Sequence, residues 1–110
     1  MNNELKNQKC VPCEGGTPSL SREESEKLIA QVSNRWKLSE NKISADFQFK
    51  NFKEAMIFVS KVAAIAEAEG HHPDIYIYYS RVKLELKTHA IGGLSINDFI
   101  LASKIDQLDV

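Results

Sequence analysis

Cysteine, proline, glycine, net charge and long apolar runs are all scarce in this 110-residue sequence, and each scarcity excludes something. The two cysteines, Cys10 and Cys13, lie together near the N-terminus outside any periodic segment, so no disulfide framework can hold the fold. Fourteen Lys and Arg against fifteen Asp and Glu leave a formal charge of −1, with the basic residues scattered. That balance lacks the footprint of a nucleic-acid or anionic-membrane binder. The longest apolar-rich stretch, Ala55 to Ala68, is broken by Ser60, Lys61 and Glu67 and falls short of the roughly 20 residues a membrane span needs. Residues 1–9 are polar and lack the apolar middle of a secretory signal, so a cytoplasmic protein is expected. What is present, 43% hydrophobic and 26% charged residues, is the balance of one ordinary globular domain. At this length roughly two-thirds of the unfolded surface can be buried without a structural metal.

Residues 1–18 carry Pro12, Gly15, Gly16 and Pro18 with only Leu5 and Val11 as sizeable aliphatics, and are expected to form a flexible arm holding a Cys-x-x-Cys motif. A single domain is expected over residues 19–110. Ser21 with Glu24 has capping-box spacing, in which hydroxyl and carboxylate each satisfy a free backbone N–H at a helix start. Trp36 to Ser39 and Ile43 to Phe49 read as strands about a Glu40-Asn41 turn, the second alternating apolar and polar. Asn51 with Glu54 opens the longest helix, roughly 18 residues to Gly70. Phe52, Met56, Val59, Val62, Ala63 and Ala66 form its expected core stripe, while Ile57, Phe58 and Ile65 widen the apolar surface enough for contact with another subunit. Ile75 to Tyr79 and Arg81 to Thr88 form a second strand pair, and Ser95 with Asp98 caps a closing helix. Such short turns require antiparallel strands. The expected fold is α+β, in the order α-β-β-α-β-β-α, with three helices on one face of a four-stranded antiparallel sheet.

The chemistry rests on the histidines. His71 and His72 end the long helix and His89 ends the last strand, within nineteen residues of one another. Imidazole, with an unperturbed pKa of about 6.5, gives and takes protons readily near neutral pH. Strand alternation puts His89 on the polar face with Arg81, Lys83, Glu85 and Lys87, so that face is the expected substrate face. Each residue has a plainer account as well. A loop histidine is commonly just solvated, Asp98 is explained as a capping acid, and Pro73 as the residue that stops the helix. Glu67 sits unfavourably at the negative end of the helix dipole. A three-histidine zinc site remains open, though adjacent ligands would have to diverge, whereas close-spaced ligands usually leave residues between them.

Glu67-Ala68-Glu69-Gly70-His71-His72-Pro73-Asp74, then Tyr79, then Thr88-His89-Ala90-Ile91-Gly92-Gly93-Leu94-Ser95-Ile96-Asn97-Asp98 is a long, multi-part pattern. With Arg35-Trp36 and Asn51-Phe52-Lys53-Glu54-Ala55, it resembles the pterin-4a-carbinolamine dehydratase family from about Cys10 to Asp106. The resemblance implies an enzyme that dehydrates 4a-hydroxytetrahydropterin to quinonoid dihydropterin, without a cofactor or metal. It implies a functional link to an aromatic amino acid hydroxylase and a homodimer or homotetramer.

Carried over by position, the resemblance makes His71 and His89 the acid–base pair, with His72 orienting the pterin ring and assisting protonation, so that all three are expected to be catalytic. Glu67 is expected to hold a histidine N–H, Asp98 to support the site or touch pterin, and Trp36 to line the pocket unless it is core. A non-catalytic pterin-binding or dimerisation module on the same fold is the alternative. Cys10 and Cys13 stay open between half a zinc site, a redox pair and a reduced arm.

Overall fold

The alternation of residues 43–49 folds as a strand with one dry face. The computed structural model describes residues 5–10 and 18–108. Its strands are β1 (Lys37–Leu38), β2 (Ile43–Gln48), β3 (Asp74–Tyr78) and β4 (Arg81–Leu86). They form one antiparallel sheet in the order β1-β2-β4-β3. Register pairs Ile43 with Leu86, Ala45 with Leu84 and Phe47 with Val82, so the inward side chains of the two central strands share one face. All six are at most 4% exposed. Burial of each larger one contributes about 1.5–3 kcal/mol.

Helices α1 (Arg22–Ile29), α2 (Phe52–Glu69) and α3 (Ile96–Ile105) cover that face, giving the expected α+β order and layers. Their starts are set by side chains. Ser21 and Glu24 form a reciprocal capping box, Asn51 accepts the Glu54 N–H at 2.9 Å, and Ser95 and Asp98 form a second box.

The buried face of α2 differs from the expected stripe. Ala55, Phe58, Val62 and Ala66 are buried, while Phe52 is 48% exposed and Ala63 faces solvent. The helix is turned by somewhat less than one residue's step of about 100°. The cause is Phe58, whose ring lies 4.5 Å from that of Phe47 and 5.0 Å from that of Phe49. An aromatic cluster outweighs a stripe containing alanine, because a ring contributes far more buried area.

Leu5–Asn7 forms a 3₁₀ turn against α3 where a loose arm was expected, with Leu5 only 5% exposed. Lys104 Nζ holds the Lys6 carbonyl at 2.9 Å, and the Cys10 backbone N–H donates to Glu69 Oε1 at 2.9 Å. One inserted leucine and two polar ties order this segment. Cys13 and the rest of the Cys-x-x-Cys motif lie outside the described residues.

Candidate active site

The end of α2 aims its histidines. Gly70 adopts φ 68°, a left-handed conformation that strains any residue with a Cβ, and the His71 N–H donates back to the Ala66 carbonyl at 3.2 Å. The chain therefore leaves the helix abruptly at His71 and enters β3 at Asp74, with half-buried Pro73 between.

Leaving the helix there brings His71 to the start of α3. Its Nε2 lies 2.6 Å from Asp98 Oδ1, and their side chains are 11% and 0% exposed. Asp98 is the capping acid of its helix and simultaneously the partner of a histidine 27 residues away. Its other oxygen, Oδ2, accepts the Ser95 backbone N–H at 3.0 Å and the Thr88 hydroxyl at 3.0 Å.

Sequence reasoning assigned no site role to Thr88. The available signal was a hydroxyl in the apolar row of Val82, Leu84 and Leu86. Ser95, read only as a cap, meets Thr88 at 2.7 Å between hydroxyl oxygens.

His72 forms a parallel pair in the open. Its Nε2 is 2.9 Å from Glu67 Oε1, with side chains 60% and 81% exposed. The histidine that Glu67 meets is therefore His72.

His89 corrects the strand extrapolation. β4 ends at Leu86, Thr88 bridges to Gly93, and His89–Ile91 is a 3₁₀ turn, so strand parity no longer applies at His89. His89 is exposed and is covalently adjacent to the Thr88 that binds Asp98. The buried His71–Asp98 contact accordingly lies where α2 ends and α3 begins, and the open sheet face is a separate region. That face has its own network: Glu85 accepts from Lys42 at 3.1 Å and from the Tyr76 hydroxyl at 3.2 Å, and Lys83 lies 3.3 Å away. Burial pushes the Glu85 carboxyl up, but the hydrogen bonds of these partners outweigh it and leave it below its ordinary value.

Trp36 takes the core alternative of its two readings. It precedes β1, at the sheet edge opposite β3, three strand spacings or about 14 Å across. Its side chain is core, 2% exposed, edge-on to Phe47, with Nε1 donating to Asp106 Oδ1 at 3.0 Å. The indole found its hydrogen-bond partner inside the fold, so it does not line a pocket with the histidines. A cavity of about 410 Å³ between Leu5, Gln31, Ser103 and Asp106 likewise includes no histidine.

Beside the site, Glu69 is held below its ordinary pKa by the Cys10 backbone N–H, with Lys104 assisting at 3.7 Å. The Cys10 thiol is pushed up to about 12 by burial and by the Glu69 charge, which makes it a poor nucleophile at neutral pH. Among the described residues, no three His, Cys, Asp or Glu side chains group as a metal ion would require. No helix among them is long and apolar enough to cross a membrane.

Residues 18–108 match the family model described as pterin 4 alpha carbinolamine dehydratase. A relative from Nitrosomonas eutropha, named "Putative pterin-4-alpha-carbinolamine dehydratase", is 50% identical over 96% of this chain and 93% of its own. The crystal structure titled transcriptional coactivator/pterin dehydratase from Brucella melitensis is 29% identical, with a TM-score of 0.74 over 80% of this chain and 95% of that one. A pterin dehydratase-like protein, titled a RuBisCO assembly factor of the alpha-carboxysome, shares the fold alone, at 22% identity and a TM-score of 0.54 over 66% of this chain and 83% of that one. The matched span includes every histidine and both of their carboxylate partners, and this chain belongs to the pterin 4 alpha carbinolamine dehydratase family.

Proposed function

We propose that this protein removes water from a 4a-hydroxytetrahydropterin to give the quinonoid dihydropterin, and so serves the cofactor cycle of an aromatic amino acid hydroxylase. The observation that carries this reading is the 2.6 Å contact between His71 Nε2 and the fully buried Asp98. A carboxylate has acceptors only, so Nε2 carries the hydrogen and Nδ1 keeps its lone pair. An imidazole held this way is ready to take a proton, and the carboxylate behind it stabilises the resulting charge.

In the proposed reaction His71 Nδ1 receives the N5 proton. The N–H electron pair becomes the N5=C4a bond, the C4a–O bond breaks, and protonated His89 gives its proton to the departing hydroxyl, which leaves as water. His89 is exposed and recovers its proton from solvent. His72, braced by Glu67, orients the ring. Positioned acid–base groups contribute about 10²–10⁴-fold.

Self-association belongs to the same proposal. Ile57 on α2 is 48% exposed, and edge strand β3 exposes Ile77 and Tyr78 at 40% and 49%, an apolar surface that suits a homodimer or homotetramer.

The test follows the absorbance of freshly generated 4a-carbinolamine with purified protein. The protein speeds its decay, and His71→Ala and His89→Ala each lower the rate by about 10-fold to 1,000-fold. Unchanged rates in both variants end the reading. A pterin-binding or dimerisation module without chemistry would bind pterin and leave the decay at its buffer rate.

A further inference from the structure

We propose that the Thr88 hydroxyl is a positioning group: it holds the Asp98 carboxylate in the orientation that grips the His71 Nε2–H, and it ties the segment bearing His89 to the same carboxylate. The direction of every proton in this cluster follows from what each group has to give. Ser95 Oγ accepts the Asn97 backbone N–H at 3.2 Å. Thr88 Oγ1 places its one hydrogen on Asp98 Oδ2 at 3.0 Å. The 2.7 Å contact between the two hydroxyls must then use the Ser95 hydrogen, with Thr88 accepting.

The relay runs from Ser95 to Thr88 to Asp98, and the Ser95 N–H reaches the same Oδ2 at 3.0 Å. With Oδ2 occupied by two donors, the carboxylate cannot rotate without breaking them, and Oδ1 is left facing His71. All three relay residues are buried, at 8%, 5% and 0% exposure, so water does not substitute for a lost donor.

The hydroxyl is separable from the turn it sits in. The Thr88 backbone N–H donates to the Gly93 carbonyl at 2.8 Å and its carbonyl accepts from Ile91 at 3.2 Å, so valine at this position keeps the bonds that hold the His89 turn.

The kinetic half of this proposal rests on the dehydratase reading, and the spectral half does not. The experiment therefore compares Thr88→Val and Thr88→Ser by ¹⁵N NMR of the His71 ring and by carbinolamine kinetics. Wild type and Thr88→Ser are expected to show the hydrogen on Nε2. Thr88→Val keeps that hydrogen but shifts its signal upfield as the bond to a less firmly held Asp98 loosens, and its kcat falls about 10-fold to 100-fold with KM within about twofold. If Thr88→Val does not fold, Ser95→Ala, which removes the donor to Thr88, is expected to give the same spectral change in smaller measure.

A Thr88→Val ring spectrum identical to wild type overturns the proposal, as does an equal loss in the valine and serine variants. If wild type has no dehydratase activity yet the His71 ring signal moves in Thr88→Val, the dehydratase reading fails and the positioning role stands.

Discussion

His71 and His72 are neighbours in the chain, and each presents Nε2 to a carboxylate, yet the two pairs do not do the same work. The His71–Asp98 contact is 2.6 Å with side chains 11% and 0% exposed, whereas the His72–Glu67 contact is 2.9 Å with side chains 60% and 81% exposed. In the first pair the carboxylate is held by two further donors and shielded from water, so the imidazole has one orientation and one tautomer. In the second, water competes for both partners and the charges are screened, so the pair adds little beyond a preferred direction for the ring. Surroundings, not residue types, divide the two histidines into one fixed and one adjustable group.

The sharpest way to break this contrast is Asp98→Asn. The amide keeps the shape but turns a donor toward His71 Nε2 unless it flips, and a flip faces that donor to Thr88 and the Ser95 N–H. A rate loss of about 10²-fold or more and a stability loss of about 1–3 kcal/mol are expected. Carbinolamine kinetics and urea unfolding measure the two effects. A rate within threefold of wild type removes the special standing of the buried pair.

Glu69 offers an intermediate case in the same helical turn. It is largely shielded, but it holds a backbone N–H and a lysine, not a histidine. The Cys10 N–H lowers its pKa, so folding favours the ionised form. Its contribution is complete above the ordinary carboxylate pKa and is lost as pH falls through the depressed native value. As pH falls from above the ordinary carboxylate value through the depressed native one, the wild type is therefore expected to lose more urea resistance than Glu69→Gln, with the variant already weaker at pH 7. Parallel losses in the two proteins would remove Glu69 from the acid response.

The legible and illegible parts of the molecule divide along chain separation. Ser21, Asn51 and Ser95 announced their helices because a cap acts within three residues, and Ile43, Ala45 and Phe47 announced the dry face of β2 because alternation is local. The phase of α2 was not legible, because apolar residues occur around much of the helix and only the rings of Phe47 and Phe49 decide which side is inward. The exit of His89 was lost where strand periodicity stopped at Leu86. Trp36 was ambiguous until Asp106, 70 residues on, provided its hydrogen-bond acceptor. Which histidine Asp98 meets, and its tie to Thr88, are decided only when α2, β4 and α3 meet at one end.

The smallest effect is expected from the exposed pair, and its smallness completes the comparison. Glu67→Gln keeps a hydrogen-bond acceptor for His72 and removes only a charge that water already screens. A rate within about threefold of wild type is expected, with no resolvable change in urea midpoint. Raising ionic strength to about 1 M shortens the screening length to about 3 Å and should bring wild type toward the variant. The buried pair, enclosed by Thr88, Ser95 and α3, should not respond to the same salt. If Glu67→Gln instead costs as much as Asp98→Asn, exposure in the free protein does not describe the pair when pterin is bound. The ligand would then be what excludes water from His72, and the salt effect would disappear at saturating substrate.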